Sequence, residues 1–206
     1  DLIVSRGLGD VYKRQDNEKL IESSGGKDKI IFMGDSITGE WGRLSPEFFQ
    51  PVVFVNRGIG GQTTPQMLLR FKQDVINLNP CIVFILAGTN DIAGNTGPSN
   101  IDMITNNIYS MAELAMAYNI KTVLSSILPV DKYPWSDQIK EVPETILTIN
   151  KKLKSFSNQH DIIYIDYYSE MVGDNRGLKK EYTTDGVHLN KICLLYTSPS
   201  PRDTIR

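Results

Sequence analysis

Five short runs along the chain are apolar at consecutive positions: Lys29–Met33 (KIIFM), Val52–Asn56 (VVFVN), Cys81–Ala87 (CIVFILA), Thr122–Ile127 (TVLSSI) and Ile162–Ile165 (IIYI). Each is rich in β-branched or aromatic residues and bounded by turn formers, which predicts strands buried on both faces. The segments between them change period. Leu68, Phe71, Val75 and Leu78 recur at helical spacing after Thr64-Pro65, where Thr can cap and Pro suits a first turn. A second stripe, Ile104, Ile108, Met111 and Ala115, opens at Ser99, and a third, Ile146, Ile149, Leu153 and Phe156, opens at Pro143-Glu144. Apolar strands alternating with amphipathic helices predict an α/β fold, a three-layer α/β/α sandwich on a parallel sheet joined by right-handed crossovers. The aromatic and methionine residues on the stripes are read as core.

Composition narrows the partners. The 206 residues, 40% hydrophobic, suffice for one domain with a sizeable core. A formal charge of −2 without a basic run gives no footprint for nucleic acid. No stretch approaches the roughly 18 apolar residues of a membrane span. Two cysteines, Cys81 and Cys193, are too few for a disulfide framework and lack metal-ligand spacing.

The ends read differently from the middle. Ser5–Gln15 (SRGLGDVYKRQ) and Cys193–Asp203 (CLLYTSPSPRD) can be written as codon strings that are reverse complements apart from a one-base offset. They resemble a transposase adapter used in sequencing libraries. Residues 1–15 and 193–206 are therefore expected to be non-native tails around a domain at 16–192, and compartment is left open.

In open α/β sheets ligands bind beyond the carboxyl ends of the strands. Three predicted strands run there into Gly34-Asp35-Ser36-Ile37-Thr38, Asn56-Arg57-Gly58-Ile59-Gly60-Gly61 and Gly88-Thr89-Asn90-Asp91, and Asp185-Gly186-Val187-His188 follows the fifth. A serine hydroxyl needs a base to take its proton, and the base needs a partner to fix its tautomer. Of the two histidines, His160 sits at a helix end and His188 lies three residues after a carboxylate. Asp185 at i and His188 at i+3 can share one side of a turn, with the other ring nitrogen facing Ser36. Acyl transfer also needs donors at the developing oxyanion. The Ser36 N–H, the Gly61 N–H and the Asn90 side-chain amide suit that role.

Together GDSIT with Ser36, GIGGQTT with Gly61, GTND with Asn90, and DGVH with Asp185 and His188 resemble the four blocks of the SGNH/GDSL hydrolases, in order and approximate spacing. The resemblance spans nearly all of 16–192, and FMGDSITGEW through AGTNDIAGNTGP is most similar to bacterial carbohydrate acetylesterases. It implies a flavodoxin-like five-stranded parallel sheet of order 2-1-3-4-5. It implies Ser36 as nucleophile, Asp185 and His188 as the rest of a triad, Ser36, Gly61 and Asn90 as oxyanion donors, and neither metal nor cofactor. The family continues after its histidine into a helix that packs on the sheet. Authentic sequence is expected to stop at Ile192, so that helix is expected to be missing.

The remaining positions divide between site and scaffold. Tyr133 and Trp135, after strand four, could stack on a sugar ring, and Trp41 and Arg57 could line the pocket. Asp35 and Asp91 are read as loop braces, Gly58 and Gly60 as turn glycines, and His160 as a solvated helix end. Asp166 rivals Asp185 by position but has no histidine beside it in sequence. The expected substrate is a small-molecule or oligosaccharide ester, preferentially an acetyl ester on a carbohydrate. A lysophospholipid or thioester, or a catalytically silent carbohydrate-binding relative, stays open. GDSIT is neither the G-x-S-x-G elbow of α/β-hydrolases nor a phosphate-cradling loop.

Overall fold

The computed structural model describes residues 9, 11–13, 15–18, 20, 29–49 and 53–197. Strands β1 (Ile30–Gly34), β2 (Phe54–Gly58), β3 (Ile82–Leu86), β4 (Lys121–Ser125) and β5 (Ile163–Ile165) form one sheet of order 2-1-3-4-5. Every neighbouring pair is parallel. The fold class and order are those expected. The strands lie one or two residues from the predicted bounds, and Val52 falls outside the described residues.

Side chains of β1 alternate across the sheet. Ile31 and Met33 join a core packed by helices α2 (Thr64–Asp74), α4 (Ile101–Ala117) and α5 (Val142–Gln159), while Phe32 joins Ile37, Phe84, Met171 and Cys193 on the other face. That second face carries α1 (Ser36–Leu44), α6 (Tyr167–Met171) and α7 (Lys191–Thr197), and α3 (Thr89–Ile92) is a single turn after β3.

Helix starts follow side-chain chemistry more closely than the stripes alone indicate. Thr63, one residue before the expected cap, forms a capping box with Gln66, whose Oε1 accepts from the Thr63 N–H at 3.0 Å. Asn100 rather than Ser99 caps α4, accepting from the Met103 N–H at 2.9 Å.

Both predicted tails contribute described residues. Lys191–Thr197 is helical, and Cys193 and Leu194 are 0% and 3% exposed. The chain is thus helical at the place where a final helix was expected to be missing, with Cys193 and Leu194 turned into the protein. At the other end the Lys13 ammonium donates to the Asn56 carbonyl at 2.8 Å. No helix among the described residues is long and apolar enough to cross a membrane.

Candidate active site

Strand β1 ends at Gly34, and the chain turns through Asp35 directly into α1. Asp35 is the N-cap, its Oδ1 accepting from the Ile37 N–H at 2.9 Å. Ser36 is thus the first residue of a helix, where its own N–H has no intrahelical acceptor and the helix dipole favours negative charge. Gly58, at the end of β2, lies so close to α1 that a Cβ there would stand 2.2 Å from the Gly39 nitrogen. Only glycine admits that approach, which sets α1 against the sheet.

His188 arrives from a separate loop. Its Nε2 stands 2.9 Å from Ser36 Oγ across 152 residues of chain, and its Nδ1 stands 2.6 Å from Asp185 Oδ2. With the proton on Nδ1, facing the carboxylate, Nε2 is free to accept from the serine hydroxyl. Asp185 Oδ1 accepts from the Val187 and His188 N–H groups at 2.9 and 2.8 Å, closing the turn that presents the ring. Burial alone would raise the Asp185 carboxyl, but the bonds from the His188 ring and the two backbone donors outweigh it and hold its pKa at about 2. The carboxylate is ionised wherever the imidazole is neutral.

The oxyanion candidates meet on the same edge. Gly61 adopts φ 71°, the left-handed conformation that glycine takes without strain. Asn90, 3% exposed, donates from Nδ2 to the Gln62 carbonyl at 3.0 Å and accepts at Oδ1 from Asn95 Nδ2 at 2.7 Å. An amide nitrogen carries two hydrogens, and the Gln62 carbonyl is the one acceptor seen for Asn90 Nδ2 among the described residues. Asp91 braces the two loops against each other, accepting from the Thr64 N–H at 2.9 Å and the Thr64 hydroxyl at 2.6 Å. Burial raises the Asp91 carboxyl to about 6 and Asp35 to about 7.

Of the four residues expected to contact substrate, one is exposed beside the His188 ring. Trp135 is 47% exposed, its ring centroid 6.4 Å from that of His188 and its Nε1–H donated to Asn95 Oδ1 at 3.2 Å. Arg57 is corrected: it is 2% exposed and its guanidinium bonds the Asn56 carbonyl and Asn17 Oδ1. Tyr133 is corrected likewise, being 1% exposed with its hydroxyl 3.0 Å from Thr89 Oγ1. Both lie near the ends of strands, and the apolar body of each is buried in the core; the Tyr133 hydroxyl finds a partner there, whereas Arg57 bonds through its two terminal nitrogens and leaves Nε without one. Trp41 stacks on Phe48 at 4.6 Å and meets Phe32 edge-on, so it belongs to an aromatic cluster behind α1 and not to the groove. His160 is exposed at the end of α5, against the Phe156 ring. Asp166 caps α6, accepting from the Ser169 N–H at 3.1 Å. Gln62 and Asn95 were not singled out in the sequence, and Thr64 only as a helix cap. All three are uncharged polar residues flanking the glycine and asparagine motifs, the one sign of a hydrogen-bonded loop frame.

A groove of about 440 Å³ opens beside Ser36 and His188, lined also by Glu40, Arg43, Thr184 and Asn190. Among the described residues no group of three or more His, Cys, Asp or Glu side chains is placed to hold a metal.

Residues 32–192 match the model of the GDSL-like Lipase/Acylhydrolase family. The chain belongs to this family. Its members are hydrolases acting on esters. A protein of Bacteroides fragilis superposes with a TM-score of 0.84 at 43% identity, covering 88% of this chain and 89% of its own. A GDSL-like lipase from Bacteroides thetaiotaomicron gives 0.83 at 40% identity, over 89% and 92%. Human platelet-activating factor acetylhydrolase IB subunit alpha2 is 29% identical over 85 residues, which is 40% of this chain and 37% of that protein. The chain thus aligns with little more than a third of this curated relative. The blocks around Ser36, Gly61, Asn90 and His188 all fall inside the matched GDSL region.

Proposed function

We propose that this chain hydrolyses carboxylic esters through an acyl-enzyme on Ser36, and that its substrate is a short-chain, preferentially acetyl, ester on a carbohydrate. The observation that carries the reading is the 2.9 Å contact of Ser36 Oγ with a histidine whose other nitrogen is held by Asp185.

In the first half-reaction Ser36 Oγ attacks the acyl carbonyl while its proton passes to His188 Nε2. The carbonyl oxygen takes the negative charge, facing the Ser36 and Gly61 N–H groups and Asn90 Nδ2. Collapse of the tetrahedral adduct breaks the C–O bond to the alcohol, which leaves with the proton from His188. Water then attacks the acyl-serine, giving its proton to His188, and the carboxylic acid is released as Ser36 regains its hydrogen. Asp185 stays ionised and steadies the imidazolium in both halves.

The shape of the site supports a small acyl group and a polar alcohol. The groove at Ser36 mixes polar Glu40, Arg43, Thr184, Asn190 and Lys191 with apolar Leu44 and Leu189. The apolar cavity behind α1, walled by Ile37, Trp41, Phe84 and Leu128, holds only about 20 Å³. That is room for about one water and not for a long acyl chain. The name of the human relative, an acetylhydrolase, agrees with a two-carbon acyl group. The exposed indole of Trp135 beside His188 offers a face on which a pyranose can stack.

The test is hydrolysis of p-nitrophenyl acetate, butyrate, octanoate and palmitate, with an acetylated xylo-oligosaccharide in parallel. The reading expects kcat/KM to fall steadily beyond four carbons and acetate to be released from the sugar. Preference for the long chains would point instead to a lysophospholipase or thioesterase type.

A further inference from the structure

Three hydrogen bonds run in one direction from the surface into the site. The Trp135 indole N–H donates to Asn95 Oδ1 at 3.2 Å, Asn95 Nδ2 donates to Asn90 Oδ1 at 2.7 Å, and Asn90 Nδ2 donates to the Gln62 carbonyl at 3.0 Å. In an amide, a bond accepted at the oxygen withdraws charge from the nitrogen and makes its N–H groups stronger donors. Bonds arranged head to tail in this way reinforce one another. The last amide of the series is the one whose spare hydrogen faces the substrate carbonyl.

The same bonds fix which way Asn90 points. Turned over by 180°, its Oδ1 would meet the Gln62 carbonyl and its Nδ2 would meet the Asn95 NH₂, an acceptor against an acceptor and a donor against a donor. An oxygen would then face the oxyanion. Asn95 holds the turn as well, its backbone N–H donating to the Asn90 carbonyl at 3.0 Å. The segment that bears Trp135 rides on this turn, because Ser136 Oγ donates to the Ala93 carbonyl at 3.1 Å. Trp135 is the surface end of the series, 47% exposed, and Asn90 the buried end, 3% exposed.

We propose that Asn95 is a positioning residue for the oxyanion donor Asn90, and that it couples Asn90 to whatever rests on the Trp135 ring. The ligand class is an ester borne on a ring with an apolar face, a pyranose above all. A ring seated on the indole shields the N–H from water and leaves Asn95 Oδ1 as its one acceptor, which orders the series at the moment of reaction. The inference rests on the esterase reading given above and adds to it a source of alcohol specificity expressed in kcat as well as in KM.

The experiment measures kcat and KM of the wild type, Asn95→Ala, Asn95→Asp, Trp135→Phe and the Asn95→Ala/Trp135→Phe double variant. Ethyl acetate, which has no ring, and a peracetylated xylo-oligosaccharide are the two substrates. Asn95→Ala should lower kcat by about 10- to 100-fold on both esters with KM within about twofold, the pattern of a contact felt in the transition state. Asn95→Asp, which cannot donate to Asn90 Oδ1, should lose at least as much. Trp135→Phe keeps a stacking ring but no N–H, and should lower kcat on the acetylated sugar by about 3- to 10-fold with KM preserved. In the double variant the Trp135→Phe loss should vanish, because the bond it removes has already been disconnected. A purely structural role for Asn95 would shift the melting temperature and leave kcat of the folded enzyme in place. Should Asn95→Ala fail to fold, Trp135→Phe alone decides, since it changes only an exposed ring. Ser36-dependent hydrolysis with kcat unchanged in both single variants, or losses that simply multiply in the double variant, would overturn the coupling and spare the esterase reading. Absence of any Ser36-dependent hydrolysis would overturn both.

Discussion

Asp185 holds His188 at two points, with Oδ2 2.6 Å from the ring Nδ1 and Oδ1 accepting from the His188 backbone N–H at 2.8 Å. One carboxylate therefore sets both the tautomer of the imidazole and the turn that delivers it to Ser36. Asp185→Asn keeps an acceptor for the turn but weakens control of the ring proton. It should lower kcat by about 10³- to 10⁴-fold while leaving the folded structure intact, as checked by initial rates together with circular dichroism.

Asn90 is expected to act only once charge develops on the substrate oxygen. Asn90→Ala should reduce kcat by about 10²- to 10³-fold and change KM little. A rise in KM with unchanged kcat would instead assign Asn90 to ground-state binding.

Asp91 has a structural duty. Its removal in Asp91→Ala leaves the buried Thr64 N–H and hydroxyl without their acceptor. Stability should fall by about 2–6 kcal/mol, two unsatisfied groups at the usual cost of each, measured from urea unfolding midpoints.

Asp35 contributes a pH dependence of its own. It is fully buried, its Oδ2 meets no hydrogen-bond partner, and desolvation raises its pKa from 3.8 to about 7, with His188 pulling it down and Asp91 pushing it up. Between those two values the folded protein keeps a proton that the unfolded chain has released, so this group lowers stability as pH rises through that window. Asn cannot titrate. The stability of Asp35→Asn relative to wild type should therefore increase from pH 4 to pH 7 and level off above it, as read from unfolding midpoints across that range. A pH-independent difference would contradict the assignment.

The fold was legible because a parallel sheet buried on both faces leaves continuous apolar runs, and β1, β3 and β5 lie within a residue of them. β2 ends two residues later than predicted because Arg57 and Gly58 pair with Met33 and Gly34, and the cost of burying Arg57 is offset in part by its bond to Asn17, which no local pattern shows. Ser36, Asp185 and His188 could be named because chemistry restricts their types and two histidines left a short search. Tyr133 and Arg57 were misplaced for the opposite reason. Long amphipathic side chains near strand ends can turn inward or outward, and what decides is a partner far along the chain, Thr89 for one and Asn17 for the other. Asn95 was invisible for the same cause, its role existing only once Asn90 and Trp135 are brought to either side of it.

We propose Ser36, activated by His188, as the nucleophile. Release of p-nitrophenol from p-nitrophenyl acetate by the wild type and by Ser36→Ala, both shown folded, tests it most directly. The alanine variant should lose at least about 10³-fold in kcat and form no acyl adduct detectable by mass spectrometry after an acid quench. Equal rates in the two proteins would contradict it.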